Sequence, residues 1–277
     1  MMAMRRTIAR IAPAVAQAPV TAGTFNTGSG SDDLLDLYCF PYAGVPAWAV
    51  FDAWANELPA DVRRDVRFWS VDIRSAGPSG EQSVRTSLGD VLDDLLPHLA
   101  PDLRPPFIFI GHSMGALVSF EMARALRRTN LPRPEHLIVS GHRAPQLPHR
   151  RPPVHAQPDS VLLKRLRELD GTPPEVLQEP ELLDLFLPRL RSDLSVCESY
   201  DYAPEPPLSC SITALGGTSD PEVTRDDLLA WSEQTAMGFS IYTFPGGHFF
   251  PQTAHNLVLR VLTEDLRRVL RRLPQAT

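Results

Sequence analysis

Cysteine is scarce in this chain: three residues, Cys39, Cys197 and Cys210, among 277. An odd, sparse set without metal-ligand spacing excludes a disulfide framework and a metal centre built on thiolates, and suits idle thiols in a reducing cytoplasm. Basic charge is also short. Lysine and arginine total 27 against 33 acidic residues, a net charge of −6, so the chain lacks the basic excess of a general nucleic-acid binder. No apolar run reaches the ~18 residues that mark a membrane span, so no membrane partner is expected. Nor is there an internal repeat. What remains is 43% hydrophobic and 22% charged residues, the composition of a globular protein with room for one substantial core.

The N-terminus has some features of an export signal. Arg5, Arg6 and Arg10 precede the small-residue stretch from Ile11 to Pro19. That stretch is short and broken by Pro13, and Thr21 to Asp33 is rich in Gly, Ser, Thr and Asn. Residues 1–33 are therefore expected to be a flexible extension.

Six short apolar runs follow: 34–40, 67–73, 107–110, 136–140, 210–215 and 239–244. Each is too short for an independent helix and fits a buried strand. Segments of helical spacing lie between most of them. Leu88, Leu92, Leu95, Leu96 and Leu99 mark one apolar face, and Leu117, Phe120, Ala123 and Leu126 another. This alternation implies an α/β class with a mainly parallel sheet covered on both sides. Between 145 and 202 no strand pattern appears, while 162–169 and 181–190 have helical spacing. Prolines at 152, 153, 158, 173, 174, 180 and 188 predict short helices there. The expected organisation is a core of 34–144 and 203–277, with 145–202 inserted as a helical lid near the C-terminal strand ends.

Gly111-His112-Ser113-Met114-Gly115 carries the strongest chemical signal. A Gly-x-Ser-x-Gly pattern alone is unspecific. Here it follows the run Phe107–Ile110 and opens the helical segment 116–126, the strand–turn–helix setting of an α/β-hydrolase nucleophile elbow. Ser113 is the expected nucleophile, and it needs a base because a hydroxyl is weakly nucleophilic at neutral pH.

In this fold the acid and then the histidine follow the serine. Of eight histidines, only His248 and His255 lie beyond the last expected strand. His248 sits in the glycine-rich loop Pro245-Gly-Gly-His248 directly after it, whereas His255 falls in a helical segment. His248 is the expected base, and His112, inside the elbow, is expected to pack structurally. Asp220, in the loop after 210–215, is the expected acid; Asp226 and Asp227 are rivals that fit better as first-turn helix acids. The oxyanion hole requires two N–H donors. Met114 follows the nucleophile, and Ala43, or alternatively Tyr42, lies in the loop after the first long strand.

Several motifs together resemble the type II thioesterases, free-standing editing enzymes of polyketide and nonribosomal peptide synthesis. They are Phe40-Pro-Tyr-Ala-Gly44, Gly111-His-Ser-Met-Gly-Ala-Leu117, Ser140-Gly-x-x-Ala-Pro145, Gly171-Thr-Pro-Pro-Glu-Val-Leu177, Arg191-Ser-Asp193 with Tyr200, and Pro245-Gly-Gly-His-Phe-Phe250. The resemblance runs from about Leu34 to the C-terminus. It implies an α/β-hydrolase fold with a mobile lid, and acyl thioesters carried on the phosphopantetheine arm of an acyl or peptidyl carrier protein. It implies the same site: Ser113, Asp220 and His248 as catalytic residues, Ala43 and Met114 as oxyanion donors, and neither metal nor bound cofactor. Two positions depart from the family pattern. Val45-Pro46 replaces a second glycine, and Val71-Asp-Ile-Arg74 keeps only the arginine of a Pro-Gly-Arg.

A cytoplasmic monomer that meets its carrier transiently is the expectation, with Arg143, Arg150 and Arg151 as a basic surface for an acidic carrier or simply a solvated turn. Trp48, Phe51 and Trp54 are expected in the core, or else in a chamber wall. The alternatives are a general carboxylesterase or lipase, and a non-catalytic hydrolase-fold protein that only binds carriers.

Overall fold

The computed structural model describes residues 23–24, 34–73, 87–171 and 179–273. The expected extension over 1–33 lies outside these residues apart from 23–24, as do Arg74 and the 172–177 part of the Gly171 motif.

Six strands form a parallel sheet: β2 (Leu35–Phe40), β3 (Val66–Ser70), β4 (Phe107–His112), β5 (His136–Ser140), β6 (Ser211–Gly217) and β7 (Phe239–Phe244). A two-residue β1 (Gly23–Thr24) adds to the β3 edge antiparallel, giving the order β1-β3-β2-β4-β5-β6-β7. The parallel α/β class is therefore present, and strand ends differ from the sequence expectation. β4 continues to His112 because His112 still pairs with Ser140. β6 runs on through Gly216 and Gly217, which pair with Thr243 and Phe244. Those two glycines carry no side chain from which a hydrophobic pattern could be read.

Alternation along the central strands builds a core on each face. Tyr38, Phe40, Phe107 and Phe109 pack with α3 (Leu88–Leu99) and α4 (Met114–Arg128), together with Trp231. Leu35, Leu37, Ile108 and Ile110 pack on the other face with α1 (Ala47–Glu57) and α9 (His255–Leu270). Phe51 and Trp54 of α1 belong to this second core, while Trp48 is half-buried. α4 is buried along its whole length from Met114 to Leu126. Two short helices complete the core layer, α2 (Ala60–Asp65) and α7 (Arg225–Leu229), with α8 (Phe250–Thr253) before α9.

Between β5 and β6 the described residues of 145–202 contain no strand and two helices, α5 (Asp159–Leu169) and α6 (Pro180–Glu198). α6 corrects the expectation of short helices, since it runs 19 residues and passes through Pro188. A proline inside a helix removes one hydrogen bond. Burial of Leu187 and Leu190 against Leu162 and Leu166 of α5 holds α6 together across that position.

Register decides where the loops emerge. Phe40 pairs with Gly111, His112 with Ser140, and Gly217 with Phe244. The loops after β2, β4, β5, β6 and β7 therefore leave the sheet at one edge, the C-terminal edge where parallel sheets build sites.

Candidate active site

The turn between β4 and α4 places Ser113 at φ 53° and ψ −116°, a conformation costly for a residue with a side chain. Two flanking glycines permit the crossing. A β-carbon on Gly111 would lie 2.1 Å from the Gly115 carbonyl oxygen, and one on Gly115 would lie 2.1 Å from that of Phe40. Ser140 supports the turn from β5. Its carbonyl accepts the Ser113 N–H at 2.7 Å, and its hydroxyl lies 2.9 Å from His112 Nδ1. Ser113 thus stands at the N-terminus of a buried helix, where the helix dipole favours negative charge.

His248 leaves the loop after β7 and is almost fully buried. Its Nε2 is 3.0 Å from Ser113 Oγ, and its Nδ1 is 2.9 Å from Asp220 Oδ2. The loop bearing Asp220 is fastened to the histidine loop by Thr218 N–H to Phe244 O at 2.8 Å and Ser219 N–H to Gly246 O at 2.9 Å. The other carboxylate oxygen of Asp220 accepts the Glu222 N–H at 2.8 Å. A carboxylate facing Nδ1 favours the tautomer with the proton there, leaving the Nε2 lone pair to accept from the Ser113 hydroxyl. The row can move one proton from Ser113 to His248 while Asp220 stabilises the resulting imidazolium.

The loop after β2 carries Ala43 and Gly44, with Gly44 at φ 87°. Its Gly44 N–H donates to Asp193 Oδ2 of α6 at 2.7 Å. Tyr42, the alternative donor position, packs its ring on Phe249 and His112 and accepts from Gln252 Nε2 at 3.1 Å. Met114 is the first residue of α4, so its N–H has no partner four residues back within the helix.

A family model described as a thioesterase domain matches residues 36–266. The solved structure titled the type II thioesterase BorB, from the borrelidin biosynthetic cluster, is 32% identical, covering 90% of this chain and 99% of its own at a TM-score of 0.75. The chain belongs to the type II thioesterase family. The RedJ thioesterase of the prodiginine pathway in Streptomyces coelicolor is similarly close, at 33% identity, 89% and 96% coverage and a TM-score of 0.78. The gramicidin S biosynthesis protein GrsT of Aneurinibacillus migulanus is 39% identical over 88% of this chain and 94% of its own length. The sheet order and these neighbours give the α/β-hydrolase fold that the motifs implied.

The remaining candidates of this thioesterase lie elsewhere or serve the fold. Asp227 caps α7, its Oδ2 accepting the Thr224 N–H at 2.8 Å, and Asp226 sits in that helix's first turn. His255 pairs with Glu57 at the surface, 2.8 Å away. His136 bridges Ser211 and Thr213 at 2.7 and 3.0 Å. Burial depresses the pKa of His112, and that of His142 to about 3, so both are neutral packing groups beside His248. Among the described residues no group of His, Cys, Asp and Glu could hold a metal ion.

Each of the three arginines has a partner within the chain. Arg143 is half-buried, with Nε donating to the Leu147 carbonyl at 3.1 Å. Arg150 pairs with Asp227 at 2.9 Å and Arg151 with Glu168 at 3.0 Å.

Sequence reasoning missed three neighbours of the thioesterase site. Asp193 reaches the loop after β2. Glu222 binds Asp220 through its N–H and meets Arg165 of α5 through its carboxylate. Phe249 stacks edge-on against His248, its ring centroid 5.2 Å away. Asp193 and Phe249 belong to the Arg191-Ser-Asp193 and Pro245–Phe250 motifs, so residue type marks the positions, whereas their contacts depend on the fold.

Proposed function

We propose that this thioesterase hydrolyses acyl thioesters from the phosphopantetheine arm of acyl or peptidyl carrier proteins, editing or releasing chains on a polyketide or nonribosomal peptide synthase. The hydrogen-bonded row from Ser113 through His248 to Asp220, at 3.0 and 2.9 Å, is the observation that carries the chemistry. Relatives named for gramicidin S, borrelidin and prodiginine biosynthesis support the choice of carrier-bound substrates. We place the enzyme in the cytoplasm, with Cys39, Cys197 and Cys210 as free thiols. No described helix is long and apolar enough to cross a membrane.

In the first step Ser113 Oγ attacks the thioester carbonyl carbon as its proton passes to His248 Nε2. The Ala43 and Met114 N–H groups hold the oxyanion, each worth about 3 kcal/mol of transition-state stabilisation. The intermediate collapses by breaking the C–S bond, and His248 returns the proton to the departing pantetheine sulfur. A water then gives its proton to His248 and attacks the acyl-serine, which releases a free acid and restores the Ser113 hydroxyl. Neither step needs a metal or cofactor, because His248 takes up and returns each proton. In this reading the 145–202 insertion acts as a lid over the site, and the contact of Asp193 in α6 with the Gly44 N–H supports it.

A panel of carrier proteins bearing different acyl groups, read by mass spectrometry, tests the proposal. Release of free acid and regeneration of the carrier thiol are expected. Turnover confined to p-nitrophenyl oxyesters, with no carrier-bound acyl group removed, would overturn it in favour of a carboxylesterase.

A further inference from the structure

The loop assigned to the oxyanion is gripped from outside the core. Gly44 N–H donates to Asp193 Oδ2 at 2.7 Å, a contact between residues 149 apart. Arg189, one turn earlier on α6, stands with Nε 3.9 Å from the same oxygen, placing a positive charge beside the carboxylate. Phe186, two turns before Asp193, closes on the loop: a β-carbon on Gly44 would come within 2.8 Å of its Cε2. Ala43 itself packs against the apolar cluster shared by α5 and α6. Among the described residues the acceptor for the Gly44 N–H comes from the insertion.

We propose that Asp193 is a positioning residue for the thioesterase reaction, holding the Ala43–Gly44 turn so that the Ala43 N–H is fixed as an oxyanion donor. The proposal rests on the assignment of Ala43 given above. Glycine at φ 87° has other backbone conformations open to it. Without an acceptor on the Gly44 N–H, the peptide unit between Ala43 and Gly44 is free to rotate, and the Ala43 α-carbon, which also carries the N–H of the preceding peptide unit, loses its anchor on that side. A charge-assisted bond to a carboxylate on a packed helix removes that freedom before substrate arrives, which is what preorganised electrostatic stabilisation requires. The donor geometry then depends on α6 being seated, so the hole is complete only when this part of the insertion covers the site.

The test compares Asp193→Ala, which removes the acceptor, and Asp193→Ser, whose hydroxyl is one bond short of the carboxylate oxygen, with Asp193→Asn, which keeps an oxygen at the same reach. Steady-state hydrolysis of an acyl N-acetylcysteamine thioester gives kcat and KM. Inhibition by a trifluoromethyl ketone of the same chain length reports the oxyanion adduct at Ser113, and the matching methyl ketone reports ground-state binding. Loss of the acceptor is expected to lower kcat roughly 10- to 100-fold with KM nearly unchanged, and to weaken the trifluoromethyl ketone in step. Asp193→Asn is expected to recover most of both, and the methyl ketone to bind all variants alike. Asp193→Ala retaining kcat and trifluoromethyl ketone affinity within about twofold of the parent would overturn the proposal. So would a change confined to KM, or equal weakening of both ketones, since either locates Asp193 in the chamber wall. A parent enzyme that hydrolyses no thioester sinks the proposed function instead, a result these variants do not mimic.

Discussion

Ser113 Oγ and His248 Nε2 stand 3.0 Å apart although 135 residues separate them in the chain. The serine is presented by a strained turn at the end of a central strand, and the histidine by a loop past the last strand. Neither position has slack. The turn is closed by backbone approaching to within contact of two glycines, and the histidine loop is fastened to the Asp220 loop by two backbone hydrogen bonds. Rigid placement of both partners is what allows a weak nucleophile to be activated by a neutral imidazole.

Ser113→Ala and His248→Ala should each lower kcat for an acyl thioester by about 10⁴-fold or more, and the double variant should lose little beyond either single one. Residues that act as a unit are not additive. Stopped assays at saturating substrate check this, and losses that multiply in the double variant would argue against a shared proton path. A fluorophosphonate probe should label the parent and fail to label Ser113→Ala.

Asp220→Asn removes the carboxylate that faces His248 Nδ1 at 2.9 Å and offers an amide in its place. If the amide N–H₂ turns toward Nδ1, the imidazole proton moves to Nε2, where it can no longer accept from Ser113. A fall in kcat on the order of 10⁴-fold is expected, with the thermal midpoint close to that of the parent. Activity within tenfold of the parent, a factor worth about 1.4 kcal/mol, would remove Asp220 from the acid role.

Gly115→Ala should damage folding before chemistry. Its β-carbon would meet the Phe40 carbonyl at 2.1 Å, a backbone atom in a central strand that cannot yield. A loss of several kcal/mol of stability is expected, about the upper range for single substitutions, seen as a lowered thermal midpoint or insoluble protein. A well-folded, fully active Gly115→Ala enzyme would contradict the close crossing of the elbow and β2.

Glu205 gives an acid-sensitive contribution to stability. It meets Arg124, Arg127 and Arg128 at the end of α4, with Arg127 Nη2 2.6 Å away. Burial raises its pKa, and the three guanidiniums outweigh that, bringing it from 4.5 to about 2. A depressed carboxylate stabilises the fold above its unfolded pKa and loses that contribution as pH falls toward the folded value. The contribution should therefore be complete above pH 4.5 and vanish between there and about pH 2. Glu205→Gln should cost roughly 1–2 kcal/mol near neutrality, allowing for its partial exposure, and almost nothing at pH 2. Urea unfolding at several pH values measures the difference, and an equal cost at pH 7 and pH 2 would show that packing rather than charge is responsible.

Much of the fold was legible because buried parallel strands leave an apolar signature that does not depend on their neighbours. All six runs became strands, and both apolar helix faces became buried faces. The errors came where local pattern says little. β6 extended over Gly216 and Gly217 because pairing with β7 needs backbone and not side chains. α6 passed through Pro188 because tertiary burial of Leu187 and Leu190 offsets one missing hydrogen bond. Net charge alone also does not reveal that Arg143, Arg150 and Arg151 each have an acceptor within the chain, a matter of tertiary neighbours rather than composition.

By itself the sequence determined the chemistry that is local: a serine in a strand–turn–helix pentapeptide, and an acid and a histidine each in the first loop after a strand. Those constraints act over a few residues, so they can be read from residue types and spacing. Tertiary structure alone decided which groups touch. It set the 3.0 and 2.9 Å separations of the Ser113–His248–Asp220 row, and it brought Asp193 across 149 residues to the Gly44 N–H. Such contacts are fixed by strand register and helix packing, which sum small apolar contributions from the whole core and leave no mark at the two residues they bring together.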